Sequence, residues 1–383
     1  MIIKLEDLAA KRVKSSEGLV VSDHTFEMSG FSGQLIFTGK GTRGIVIKNP
    51  KGEIKFQDCV IDNAGTGVVI KLDGKYDGVK LNGSGTTKLF GKAGNSQSQM
   101  IYFQGTWSNV EVCGFDIDQR RDNKIGSTTT GSCLQMAGVL SSTHSLGNVH
   151  VHDMILRNCG DEGNYENNFE RGAGYAQGEY LTVENVKVFG SGRDFFQQWG
   201  FKNATYRNCY GENGGKEADS NHCSALSMNG WTEELLIEDC QFDNVAQLIY
   251  SGTPAPGKKI FATIRNVVYN QGTHAGNRNN GAAYLKGPGL YRFENCLINA
   301  PEVKLAAITA DGCTVELLAD SNKITAPDVD RLFNGGSVTK FIPPPVEKID
   351  TIEVTRIVTT PYNQSSTTEY FLEDGSELIL KQP

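Results

Sequence analysis

Eight segments of the chain share one pattern of apolar and polar positions. They are IKFQDCVI from Ile54, VEVCGFDI from Val110, VHVHDMIL from Val149, LTVENVKV from Leu181, ATYRNCYG from Ala204, LLIEDCQF from Leu235, ATIRNVVY from Ala262 and YRFENCLI from Tyr291. Superposed without a gap, each alternates apolar and polar residues up to a polar slot, followed by Cys or another apolar residue. The slot holds Asp58, Asp153, Asn185, Asn208, Asp239, Asn266 or Asn295, with Gly114 in the second copy. A weaker copy, Val79 to Thr86, puts Gly83 there, and a further one puts Asp320 there. Successive slots are about 29 residues apart on average, the length of one solenoid coil.

Alternation with period two predicts strands with one buried face. Across the slot the apolar step is three rather than two, so the run bends there. Asn, Asp and Gly are the residues that tolerate the left-handed backbone of such a bend. Stacked coils would place the slot side chains in a ladder, with the Asn208 and Asn295 amides enclosed and bonded to backbone groups of neighbouring coils. Cys59, Cys209, Cys240 and Cys296, each one residue past a slot, would stack as buried thiols.

A third strand precedes the copies and ends at a glycine. Examples are MIYFQG to Gly105, CLQMAG to Gly138, AGYAQG to Gly178, FFQQWG to Gly200, ALSMNG to Gly230, LIYSG to Gly252 and AAYLKG to Gly287. Positions two and four before the glycine are expected to be buried, and positions one and three to face outward. The outward set is Tyr102, Gln135, Tyr175, Gln177, Gln197, Trp199, Asn229, Tyr284 and Lys286.

Three short strands and three turns per coil resemble the right-handed parallel β-helix of the pectate-lyase-like superfamily, over roughly residues 33–335. The resemblance implies an all-β fold, a right-handed parallel β-helix solenoid of about ten coils with a small C-terminal β cap. Residues 1–32 would form an N-terminal cap, with Ile3 to Ala10 as a short helix. Residues 33–342 would form the β-helix, and 343–383, after Pro343, Pro344 and Pro345, a C-terminal hairpin cap or oligomerisation element. In the last piece YFLEDGSELIL reads as a hairpin with Asp374-Gly375 at its turn.

Composition narrows the function. The 383 residues carry a net charge of −7 with no basic cluster, which argues against a nucleic-acid partner. No apolar run approaches the roughly 20 residues of a membrane span. The opening MIIKLEDLAAKRVKS has no apolar centre, so no Sec signal peptide is expected. Nine dispersed cysteines without a CxxC pair read as free thiols made in a reducing compartment. His150 and His152 alternate outward on one strand and read as surface histidines; neither a metal nor a cofactor is expected.

Long insertions precede the glycine-ended strands, at 119–131, 160–172, 211–222 and 270–281. Such edges commonly build the functional face of a solenoid. The outward strip beside them is rich in Tyr, Trp, Gln and Asn. Its ring faces suit the C–H faces of sugars, and its amides suit hydroxyls, with Arg171 overhanging as a further binding residue. The calcium-dependent lyases of the superfamily use an Asp/Glu cluster on this strip, and the polygalacturonases use Asn-Thr-Asp, Asp-Asp and Gly-His-Gly sets. Neither pattern is present in the sequence. A non-standard catalytic set remains: Asp194, Glu170 and Asp219 as paired carboxyls for hydrolysis, and His222 with Arg193 for a lyase. The resemblance therefore implies a glycan-recognising, tailspike-like virion component, depolymerising if that set is catalytic. A polysaccharide or surface glycan would be its ligand, and its other partners a homotrimer and tail proteins. It would be made in the cytoplasm and located on a virion or outside the cell. A bacterial polysaccharide lyase or glycoside hydrolase, and a structural spacer or adhesin, are the alternatives.

Overall fold

In a computed structural model the chain forms two compact units, Met1–Phe341 and Ile342–Pro383. The structure describes residues 2–6, 20–21, 25–29, 34–42, 44–62, 68–91, 99–120, 132–136, 145–159, 177–192, 194–199, 201–214, 224–229, 232–252, 257–272, 282–300, 308–318, 322–325, 337–341, 354–362, 365–372 and 377–381.

The first unit is a parallel β-helix. Strands one coil apart pair in parallel and in the register that the repeat predicts. Val110 faces Val149, Val149 faces Leu181, Leu181 faces Ala204, Ala204 faces Leu235, Leu235 faces Ala262 and Ala262 faces Tyr291. These rungs belong to an 18-stranded sheet that covers the residues before and after each slot. The glycine-ended strands form a separate wall, described as a six-stranded sheet ending at Leu134–Met136 and a five-stranded sheet starting at Phe196–Trp199.

The slot is the corner. Asp58, Asp153, Asn185, Asn208, Asp239, Asn266 and Asn295 all have φ between 50° and 54°. Their side chains form a ladder: Asn185 Nδ2 donates to Asp153 Oδ1 at 3.1 Å, Asn266 Nδ2 to Asp239 Oδ1 at 2.8 Å, and Asn295 Nδ2 to Asn266 Oδ1 at 2.9 Å. The expectation that Asn208 and Asn295 are enclosed is overturned, because they, like the other five slot residues, are exposed. The corner turns its side chain to solvent while its backbone keeps the sheet continuous. The N–H groups of Asn208, Asp239 and Asn266 donate to Glu238, Arg265 and Glu294 in the next coil.

The residue after the corner points inward. Cys59, Cys209, Cys240 and Cys296 are buried, free thiols. Each Sγ meets the carbonyl of a matching residue one coil back, respectively Phe37, Val183, Tyr206 and Ile264, at 3.1 to 3.6 Å. In the coil where Thr87 takes this position, its hydroxyl donates to Phe56 O at 2.7 Å, the same rung in oxygen chemistry. Aromatic rungs fill the rest of the core, Phe37 and Phe56 stacking at 4.7 Å.

The weak copy at Val79 to Thr86 is where the register slips. Leu81 pairs with Ile54 on one side and with Val112 on the other, positions four and two before their slots. The slip is absorbed at the corner, where Ser84 and Gly85, rather than Gly83, adopt φ of 53° and 70°. The N-terminus also differs from expectation. Ile2–Lys4 is a strand paired with Leu35–Gly41, and only Leu5 and Glu6 are helical among the described residues. The open edge of the first rung offers backbone partners that a three-residue strand can use. Residues 7–10 of the expected helix lie outside the described residues, as does Asp320.

The second unit is a three-stranded antiparallel sheet of Val354–Tyr362, Ser365–Leu372 and Glu377–Lys381. Phe371 faces Glu377 across the expected hairpin, whose Asp374-Gly375 turn is outside the described residues.

Candidate functional site

Parallel pairing lines up the outward residues of the glycine-ended wall. In the six-stranded sheet the column is Val46, Lys71, Tyr102 and Gln135. In the five-stranded sheet it is Gln197, Ser227, Tyr250 and Tyr284. Residues 160–176, which separate the two sets of strands in sequence, are outside the described residues.

The column is not uniformly open. Tyr102, Tyr284 and Lys286 are half-buried, as the alternation requires of outward residues. Gln135 and Gln197, read from sequence as exposed, are only 8% and 5% exposed, and Ser227 is fully buried. Alternation identifies the face that meets the core. It is silent on what covers the other face, and here the middle of the column is covered. Its inward neighbour Gln198 sits in a polar core network: it accepts from Tyr206 Oη at 2.9 Å and donates to Thr232 Oγ1 at 2.9 Å. Burial raises the Tyr206 phenol pKa well above its usual range, so it stays protonated and donates.

Tyr250 is the residue that sequence reasoning missed. Counting back from Gly252 gave it an inward place, because that glycine follows its strand one residue early. Register corrects the count: Ser227 faces Tyr250, while Ile249 and Ser251 turn inward. Tyr250 and Tyr284 stack, with centroids 5.6 Å apart and planes at 30°, and the Lys286 ammonium lies 5.2 Å from the Tyr284 ring centre. A matching pair at the other end of the wall sets Lys71 5.9 Å from the Tyr102 ring, with Asp73 3.3 Å from the ammonium. The expectation of bare ring faces for sugars is thus modified. The Tyr284 ring already contacts Tyr250 and Lys286, so phenol hydroxyls and ammonium groups are the chemistry this column has to offer a hydroxylated or acidic ligand.

Asp194 was expected to overhang the strip. It is completely buried. Its Oδ1 accepts the Ser224 N–H at 2.7 Å and its carbonyl accepts Ser191 Oγ at 2.7 Å, so it fastens one coil to the start of the next glycine-ended strand. Glu170, Arg171, Tyr175, Arg193, Asp219 and His222 lie outside the described residues. Gln177 opens the strand Gln177–Ser191 in the 18-stranded sheet, facing Ser145, instead of ending a glycine-wall strand. Trp199 and Asn229 face each other in register, and their side chains are outside the description.

A concavity lies elsewhere, on the wall before the corners. About 510 Å³ in volume, it is lined by residues that include Asn203, Thr205, Leu236, Phe261, Thr263 and Arg292. Phe261 is 54% exposed there. Sequence reading passed over it because its residues sit at ordinary polar positions of the repeat.

No protein-family model matches the chain, and no curated protein matches it. Among solved structures the chain is similar to two double mutants of the tailspike protein of E. coli bacteriophage HK620, each at 9% identity. Each likeness covers 96% of this chain and 78% of that one, with TM-scores of 0.28 and 0.30. Among the described residues, no helix is long and apolar enough to cross a membrane.

Proposed function

We propose that the protein recognises a surface polysaccharide through the outer face of its glycine-ended wall, in the manner of a tailspike-like virion component. The observation that carries this reading is the half-buried, stacked pair Tyr250 and Tyr284 with the Lys286 ammonium beside it. Tyrosines fixed on rigid strands present hydroxyls with little ordering cost, and an ammonium beside them suits a uronate or other acidic sugar. The two tyrosines lie on neighbouring strands one coil apart, so both rings can meet one chain running along the wall. A homotrimer and tail proteins as partners, and a location on a virion, belong to the same reading. Depolymerisation belongs to it as well, through Glu170, Asp219, His222 and Arg193.

The test is equilibrium binding of immobilised bacterial polysaccharides, acidic and neutral, to the parent and to a Tyr250→Ala/Tyr284→Ala double variant. Saturable binding that falls ten-fold or more in the folded variant supports the reading. Equal binding by both proteins, or none to the whole panel, refutes it. Release of reducing ends or unsaturated sugars from the bound polymer identifies a depolymerase.

A further inference from the structure

The strand Val110–Asp118 and its neighbour Ser145–Cys159 bring three donor side chains, Glu111, Cys113 and His152, together on the outer face of the 18-stranded sheet, with His150 beside them. Glu111 and Cys113 alternate on one strand, His150 and His152 on the next, and register sets Glu111 opposite His150 and Cys113 opposite His152. Glu111 Oε1 is 3.0 Å from His152 Nε2 and 3.9 Å from Cys113 Sγ. The three donor atoms all lie within 4.8 Å of one another.

The hydrogen bonding around His152 gives this grouping its direction. His152 Nδ1 lies 2.7 Å from Asp153 Oδ2. If that nitrogen carries the proton, Nε2 is left as an acceptor facing a second acceptor, Glu111 Oε1. Two lone pairs at that distance need a cation between them or a second proton on the ring. A carboxylate behind a histidine is also the usual support of a metal-bound imidazole. Tetrahedral zinc with bonds of about 2.0–2.2 Å to N and O and about 2.3 Å to S sets N···O and S···O edges of roughly 3.3 Å and roughly 3.6 Å, so the observed 3.0 and 3.9 Å need shifts of only about 0.3 Å each. His150 stacks 4.3 Å from His152, and its Nε2 is buried without a hydrogen bond, 3.8 Å from Glu184.

We propose that Glu111, Cys113 and His152 bind a divalent transition metal of the zinc class, tying two adjacent coils together. A mixed S, N and O set excludes calcium and magnesium, which take oxygen ligands. Lys80 Nζ shares Glu111 Oε1 and competes with the ion for it.

The experiment is a Co²⁺ titration of the chelator-treated full chain, read by absorbance. One equivalent should bind with a thiolate-to-cobalt charge-transfer band. Cys113→Ser should lose that band, His152→Gln should weaken binding at least ten-fold, and Lys80→Met should tighten it several-fold. If Cys113→Ser fails to fold, the His152→Gln and Lys80→Met affinities decide. No saturable binding, a band retained in Cys113→Ser, or affinities unmoved in the other two variants overturns the proposal and leaves His152 as a hydrogen-bonded link between Glu111 and Asp153.

Discussion

Asn266 isolates what the corners contribute to stability. Its φ is +54°, and it sits mid-ladder, donating to Asp239 at 2.8 Å and accepting from Asn295 at 2.9 Å. The ladder is exposed, so each bond stands at the low end of the ~0.5–1.5 kcal/mol net worth of a hydrogen bond, and losing both costs about 1 kcal/mol. Forcing a residue with a Cβ and no local hydrogen-bonding side chain into this conformation costs roughly 1–2 kcal/mol. Asn266→Ala should therefore lose about 2–3 kcal/mol and Asn266→Val somewhat more. Asn266→Gly loses the same two bonds with no conformational penalty, and should cost only about 1 kcal/mol. Urea unfolding followed by far-UV circular dichroism reads the order parent, Gly, Ala, Val. Equal losses for Gly and Ala would show that the side-chain ladder, and not the backbone angle, is what the slot selects.

Four further outcomes follow from the same packing. Gln198→Leu strands the buried Tyr206 and Thr232 hydroxyls and should cost about 1–3 kcal/mol for each in urea unfolding, well beyond Tyr206→Phe. Gly105 has φ +96°, and a Cβ there would lie 2.2 Å from Gly74 O, so Gly105→Ala should cost about 3 kcal/mol or more and lower soluble yield. Burial pushes the Cys59 thiol up to about 12 and the Cys296 thiol up to about 11, so a thiol reagent at neutral pH should leave both unlabelled in the native protein and label them after denaturation. Hydrogen bonds from Gln34 and Asn82 hold Glu53 below its ordinary pKa, and those from Ser108 and Asn109 do the same for Asp77. Folding thus favours the ionised forms. The stability they give is full above about pH 5 and is lost as pH falls through the folded values, so the urea midpoint should drop on acidification, and less steeply in Glu53→Gln.

The repeat made the coil legible because side-chain alternation and a corner needing positive φ both leave marks on residue type. The slot, the thiol rung and the register from Val110 to Tyr291 follow from those two constraints. What covers a face leaves no such mark. Gln135, Gln197 and Asp194 looked like surface residues because they are polar, yet each is enclosed. Tyr250 was lost to a one-residue difference in where a glycine follows its strand, and Ser84 and Gly85 to a bulge that composition does not reveal. The histidine pair at 150 and 152 was read along its own strand. Its partners Glu111 and Cys113 are adjacent only through coil pairing, about 40 residues away in sequence.

The most direct measurement is a structure of the protein with a bound fragment of the polysaccharide selected by binding. The account predicts sugar density on the glycine-ended wall, within hydrogen-bonding distance of the Tyr250 and Tyr284 hydroxyls and the Lys286 ammonium. Density instead in the concavity of Thr205, Phe261 and Arg292, with the tyrosine pair bare, would contradict it.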